Sequence, residues 1–280
     1  MKFQAWEARR HIEASYINAL RKLGRFLVSF IDASDTVEDI SGKFSEISSS
    51  RPFAEWAQAL AHTIVTHTLE ENARTWRQAA AMSGRGSTIR RALEHEMEGP
   101  VGDRVSELID QNAQYIKSVP EDVSKDLVRH VQSKAFEGSR VAYKSDEFKT
   151  LVGDMSNAHA KMISRTETAK AMSVLTQARA EYTGYDWYIW HTVKDVRVRE
   201  SHREMDGVLC RFSDPPSPEE LAGEKSVGRY SPGNIYNCRC YAAPVILWHK
   251  IDWPHKIYAD GKIASMSKTQ FMKQFGDDIQ

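Results

Sequence analysis

The chain has 280 residues, 41% of them hydrophobic and 27% charged, with Lys+Arg 38 balanced by Asp+Glu 38 and a mean hydropathy of −0.52. That length allows one large domain or two ordinary ones with a real core. The zero formal net charge excludes global attraction to polyanions, and no apolar run approaches the ~20 residues needed to span a bilayer.

In chain order, the N-terminus is charged from the start and lacks an apolar signal-peptide core, so synthesis in the cytoplasm is the default. Residues 2–31 have helical periodicity, with Trp6, Ile12, Tyr16, Leu20, Leu23, Leu27 and Phe30 at three- and four-residue steps. A polar connection over 35–50 leaves room for one short helix. Pro52 suits the first turn of a long helix to residue 82, with Trp56, Leu60, Ile64, Leu69 and Trp76 as its apolar face. Ser83-Gly84-Arg85-Gly86-Ser87 breaks it. Arg74, Arg77, Arg85, Arg90 and Arg91 surround that break with no acidic residue among them. Such a turn is either a solvated helix connection or a weak, sequence-independent DNA-backbone contact, and it lacks a P-loop pattern. Helices follow over 89–98, 101–117 and 121–134, punctuated by Pro100 and Pro120. A connection is expected over 138–144, then a helix over 146–182 stopped by Gly184.

The character then changes. Residues 186–193 are aromatic and β-branched and predict a strand. A short helix over 197–205 ends at Asp206-Gly207, with strands over 208–212 and 239–247. Between them a loop over 213–233 carries Pro215, Pro216, Pro218 and Pro232. A hairpin or strap and a small helix or frayed tail complete the chain. The fold class is therefore α+β and mostly helical: an N-terminal helical region (1–145), a small α+β module with few strands and a long Pro-rich loop (146–250), and a C-terminal strap and tail (251–280).

All three cysteines, Cys210, Cys238 and Cys240, fall in one short segment, with His202 just before them. Three thiolates and one imidazole make the ligand count of a closed tetrahedral zinc site, which would be structural because it leaves no open position. Inert buried thiols are the plain alternative, and a disulfide from Cys210 to Cys238 or Cys240 would suit an oxidising compartment. The charged residues Arg165, Glu167, Asp195, Arg197, Arg199 and Asp206 read as a structural network, with Arg165 or Arg199 pairing Glu167 or Asp195. With Glu200 and His202 the same cluster admits acid–base or metal-assisted hydrolysis. No H-E-x-x-H or G-x-S-x-G motif supports that, so the expectation is a chain that is not an enzyme.

The order of these features carries a family resemblance. Arg165-Thr-Glu-Thr168 lies on a helix, followed by an aromatic strand with Trp190. Then come Asp195, Arg197-Val198-Arg199, His202, Asp206-Gly207, the Pro-rich loop and Asn237-Cys238-Arg239-Cys240. Over roughly 111–245 this resembles the phage head-morphogenesis proteins, the Mu F-like minor head protein family. Some members carry a C-x-x-C pair before the D-G and a His before the C-R-C. Arg199 and His202 stand at the positions of that pair, and Ile235 at that of the later His. Cys210 is then a candidate for one of the missing ligands.

The resemblance implies a minor capsid protein of a tailed bacteriophage or prophage, acting in head assembly or genome packaging and delivery. Its partners would be the portal protein and the major capsid or scaffolding protein. Its place would be the capsid interior of the virion, after synthesis in the bacterial host cytoplasm. The alternatives are a metal-dependent hydrolase or delivered effector using His202 and neighbouring carboxylates, and a non-specific DNA-binding assembly factor.

Overall fold

The computed structural model describes residues 6–136 and 144–276. The connection expected over 138–144 lies outside them except for Lys144. Two compact units are each assembled from separate stretches of chain.

One unit comprises residues 10–66 and 107–167. It holds α1 (Arg10–Ser29), α2 (Val37–Ser49), the first half of α3 (Arg51–Met82), most of α5 (Pro100–Phe136) and the start of α6 (Ser145–Tyr182). Tyr16, Leu20, Leu27, Ile40, Phe44, Ile64, Ile116 and Leu127 meet in its core. Tyr16, Leu20, Leu27 and Ile64 are on the predicted stripes, whereas Trp56, predicted on the apolar face of its helix, is exposed, and the first helix needs two corrections. Helix α1 begins at Arg10 rather than near residue 2, so Trp6 is not on its stripe. Phe30 lies just past its end and is exposed, packing on Phe26 with ring centroids 4.7 Å apart. Thr36 and Asp39 close a capping box at the start of α2.

Helix α5 runs through Pro120, where the sequence predicts a break. A proline removes one amide donor and crowds the preceding turn. Ser48 Oγ donates to the Lys117 carbonyl in that turn at 3.0 Å, and Val119 and Val123 are buried on either side. Packing thus holds the helix together, and the Lys117 carbonyl beside the break takes an outside donor.

The other unit contains residues 67–106 and 168–276 of the described chain, with Trp6. After α4 (Gly86–His95) and the end of α6 come β1 (Trp187–His191), α7 (Glu200–Glu204), β2 (Leu209–Arg211), α8 (Pro218–Leu221), β3 (Tyr241–Pro244), β4 (His255–Ala259), β5 (Lys262–Met266) and α9 (Lys268–Phe275). The strands form one sheet in the order β3-β1-β2-β4-β5. Its pairs are antiparallel except β2 with β4, where Leu209 faces Ile257. The 251–280 segment, set apart in the sequence reading, thus supplies two strands to this sheet.

Side chains alternate across a strand, and here they feed two cores. Tyr188, Trp190, Cys210, Ala242 and Tyr258 enter one, which also holds Trp6 and Trp76 with ring centroids 5.1 Å apart. Trp187, Ile189, Leu209 and Ile257 enter the other, where Phe271 and Phe275 of α9 meet Trp187 edge-on. Both faces of β1 are covered, which explains its unbroken aromatic run. Among the described residues no helix is long and apolar enough to cross a membrane.

Candidate metal centre

His202 lies on the five-residue helix α7, its ring edge-on to Trp190 with centroids 5.6 Å apart. Asn237 takes a left-handed φ of 55°, which Asn tolerates better than most residues. Next to it Cys238 N–H donates to the Ile235 carbonyl at 3.1 Å. Cys240 directly precedes β3. Gly233 fixes the approach to this turn. Its φ is +95°, and a Cβ there would lie about 3.1 Å from the Cys240 carbonyl oxygen and from Ser173.

These segments bring three ligand atoms together. His202 Nδ1 is 3.5 Å from Cys238 Sγ and 3.4 Å from Cys240 Sγ, and all three atoms lie within 4.8 Å of one another. The three residues are 2–5% exposed. A tetrahedral zinc ion with ordinary Zn–S and Zn–N bonds separates a sulfur and a nitrogen ligand by about 3.6 Å. The donor types, their spacing and their burial therefore fit a zinc site. The hydrogen bond from Cys240 lowers the Cys238 pKa well below its usual value. Cys240 is raised in turn by its hydrogen bond to Cys238. One thiolate is thus already favoured, as metal binding requires.

Behind the imidazole lies a second layer. His202 Nε2 is 2.9 Å from the Tyr230 hydroxyl and 3.4 Å from a Glu219 carboxylate oxygen. Tyr230 donates to both Glu219 oxygens, at 2.7 and 2.9 Å. Burial, then Glu219, pushes the Tyr230 phenol far above its ordinary pKa. The strand end is clamped separately. Arg239, between the two cysteines, forks onto Asp195 just before α7 and holds that carboxyl down at about 2.

Cys210 does not join this set. It sits on β2 in register with Tyr188, its thiol donating to the Val208 carbonyl at 3.7 Å, and burial pushes its pKa up. It is the core thiol of the plain reading, and all three cysteines are free. The closed four-ligand site is thereby reduced to three protein ligands. Three is also the count at which a bound ion keeps a position for water or substrate. The expectation that the chain is not an enzyme is therefore overturned: His202, Cys238 and Cys240 form the ligand set of a potential, and potentially catalytic, metal site.

The charged network divides. Arg165 faces Glu13 at 3.8 Å, and Glu167 accepts from Asn112 at 3.4 Å, both in the helical unit. Asp195 pairs with Arg239 rather than with Arg165 or Arg199, and Arg197 lies 3.6 Å from it. Arg199 donates to the Tyr236 carbonyl at 3.0 Å and covers the Tyr236 ring. Asp206 accepts from Thr192 N–H at 2.8 Å and pairs with Lys194. Ile235 packs on the apolar core. Of the arginine turn, Arg74, Arg77, Arg90 and Arg91 are exposed. Arg74 lies 3.4 Å from Glu71, Arg85 covers Tyr185, and Arg90 donates to the Gly86 carbonyl.

Sequence reasoning missed Glu219, Tyr230 and Arg239. For Glu219 a signal existed: Ser217-Pro218-Glu219-Glu220 is a helix-start pattern inside the supposed loop, and α8 begins there.

The fold and site define a class: an α+β protein with a buried two-cysteine, one-histidine cluster beside a small mixed sheet. Residues 111–243 match the family described as "Phage Mu protein F like protein", a span covering both ligand segments. A protein of Haemophilus influenzae (strain ATCC 51907 / DSM 11121 / KW20 / Rd), described as "Uncharacterized protein", is 30% identical over 180 residues. The alignment covers 64% of this chain and 37% of that protein, so the chain spans little more than a third of its relative's length. No solved structure matches.

Proposed function

We propose that this chain is a metal-dependent protein of the Mu F-like head-morphogenesis type, with zinc held by His202, Cys238 and Cys240 in a hydrolytic centre. The observation that carries this reading is the number of ligands: three buried donors at metal-binding distances, where the sequence suggested four. Zinc bound there would supply a polarised water of lowered pKa. The chain's own groups hold the arrangement. The Asp195–Arg239 fork ties the segment leading to α7 to the turn bearing the thiols, and Glu219 stands behind the imidazole. The match over 111–243 supports the setting: a minor head component meeting portal, capsid or scaffolding subunits in the capsid interior.

The test starts with elemental analysis of protein purified without chelator or affinity tag. About one zinc per chain is expected, lost in Cys238→Ser and Cys240→Ser and kept in Cys210→Ala; less than about one-tenth overturns the reading. Phosphodiester, ester and peptide substrates are then assayed with and without chelator. Chelator-sensitive turnover is expected, and zinc occupancy without turnover would leave the ion a purely structural part. Absence of the chain from purified heads would remove the assembly setting.

A further inference from the structure

Metal-ligating histidines are usually fixed by a partner on the other ring nitrogen, because that bond selects both tautomer and ring orientation. Here the partners come from a place with no evident link to metal chemistry. Glu219 sits on α8, a four-residue helix within the Pro-rich stretch, and Tyr230 lies near the end of that stretch. Glu219 is only 6% exposed, and a carboxylate so buried needs compensation. Tyr230 and His202 stand beside its oxygens.

We infer that Glu219 and Tyr230 are positioning residues for the metal site, and that metal binding and ordering of the Pro-rich loop are therefore coupled. This rests on the metal reading above. The hydrogen bonds run in one direction. His202 Nε2–H donates to the Tyr230 oxygen, and the Tyr230 O–H donates to Glu219. The proton is thereby held on Nε2, and the Nδ1 lone pair is left facing the two sulfurs. The loop is anchored at further points. Tyr230 N–H donates to the Pro216 carbonyl at 3.0 Å, Ser217 and Ser226 hydroxyls meet at 2.8 Å, and Arg229 pairs with Asp214 at 2.9 Å. Lys225, and Arg229 despite its pair with Asp214, are exposed. A loop held at its middle and end by the imidazole should tighten when Nδ1 takes a metal, since coordination makes Nε2–H a stronger donor.

The experiment uses the full chain and zinc itself as probe. Glu219→Gln keeps the shape but loses the charge, Tyr230→Phe loses the link, and Glu219→Asp is the conservative control. Competition against a chromophoric chelator should show zinc affinity falling ~10–100-fold for the first two variants, with partial recovery in Glu219→Asp. Melting of Glu219→Gln in the presence of chelator should stay close to wild type, which a merely structural role would not allow; Tyr230→Phe leaves the Glu219 carboxylate without its donor and is read by zinc affinity alone. On the wild type, stripping the metal should speed trypsin cleavage after Lys225 and Arg229, and nitrogen-15 spectra of the zinc form should show a slowly exchanging proton on His202 Nε2. Unchanged zinc affinity in both variants overturns the inference while the metal reading stands; a proton on Nδ1 of the zinc form overturns both, because Nδ1 is the nitrogen that faces the sulfurs. Should a variant fail to fold, the wild-type cleavage and nitrogen-15 results decide. A wild-type chain that binds no zinc overturns the metal reading and this inference with it.

Discussion

His191 ends β1 with its ring stacked on Tyr241, centroids 5.4 Å apart and planes 25° from parallel. Burial lowers its pKa to about 4, outweighing Asp206, which acts in the opposite direction. An unfolded histidine titrates near 6.5. As pH falls below that value the unfolded chain takes up a proton that the folded chain refuses. Stability from this group is therefore full above about 6.5 and is lost progressively down to about 4, by roughly 3 kcal/mol at most. Carboxylates with lowered pKa values, such as Asp195 and Asp206, lose their contribution in a lower window, below their unfolded value near 4. Chemical denaturation from pH 7 to 4.5 should show a shallower decline in His191→Phe than in wild type. Parallel slopes would mean that this histidine protonates as freely folded as unfolded. At this scale the sequence was legible where rare residue types cluster: His202, Cys238 and Cys240 stand out by type and proximity. Cys210 has the same type and lies in the same core, and its exclusion depends on the register that sets it opposite Tyr188, whereas His202 packs on Trp190. Glu219 and Tyr230 acquire meaning only when the loop folds back, which local pattern does not encode.

Elements were read best where local chemistry and tertiary packing agree. Asp260-Gly261, with φ of 51° and 76°, is the two-residue turn that joins β4 to β5, and Asp-Gly is among the strongest short hairpin signals. Pro120 is the opposite case. Its local preference is to stop a helix, but the burial of Val119 and Val123 outweighs it. The arginine turn between α3 and α4 is legible as a basic patch and silent about its partner. Arg74, Arg85 and Arg90 already make contacts within the chain, so few guanidinium groups remain to neutralise phosphates. Duplex DNA should bind weakly and without sequence preference, and a slope of log affinity on log salt of about −0.9 per contact should count only a few phosphates. Charge reversal at Arg77 and Arg91 should weaken that binding further. Tight binding at ~200 mM salt would contradict so small a contact set.

For the whole molecule, the division into two units has a consequence for how metal affects stability. Each unit has its own apolar core: Tyr16, Phe44 and Ile64 belong to one, Trp76, Tyr188 and Trp190 to the other. The ligand set belongs entirely to the second, where Trp190 touches His202 and Cys238 and Cys240 are themselves core residues. Ligands of a metal are rarely preassembled in an unfolded chain, so zinc binding adds to the folding free energy of the unit that holds it. Proteins open in cooperative parts whose free energies differ. Chelation should therefore act unequally. Amides of β1 and β3 should exchange faster once metal is removed, whereas amides around Tyr16 and Phe44 should keep their protection. Tryptophan fluorescence offers a second view, because Trp56 belongs to the first unit and Trp190 borders the site. A Trp56→Phe variant should retain the full chelation-induced change. Equal loss of protection in both cores would instead mean that α3, α5 and α6, each of which contributes to both units, bind them into one cooperative whole, so that the metal stabilises the entire chain.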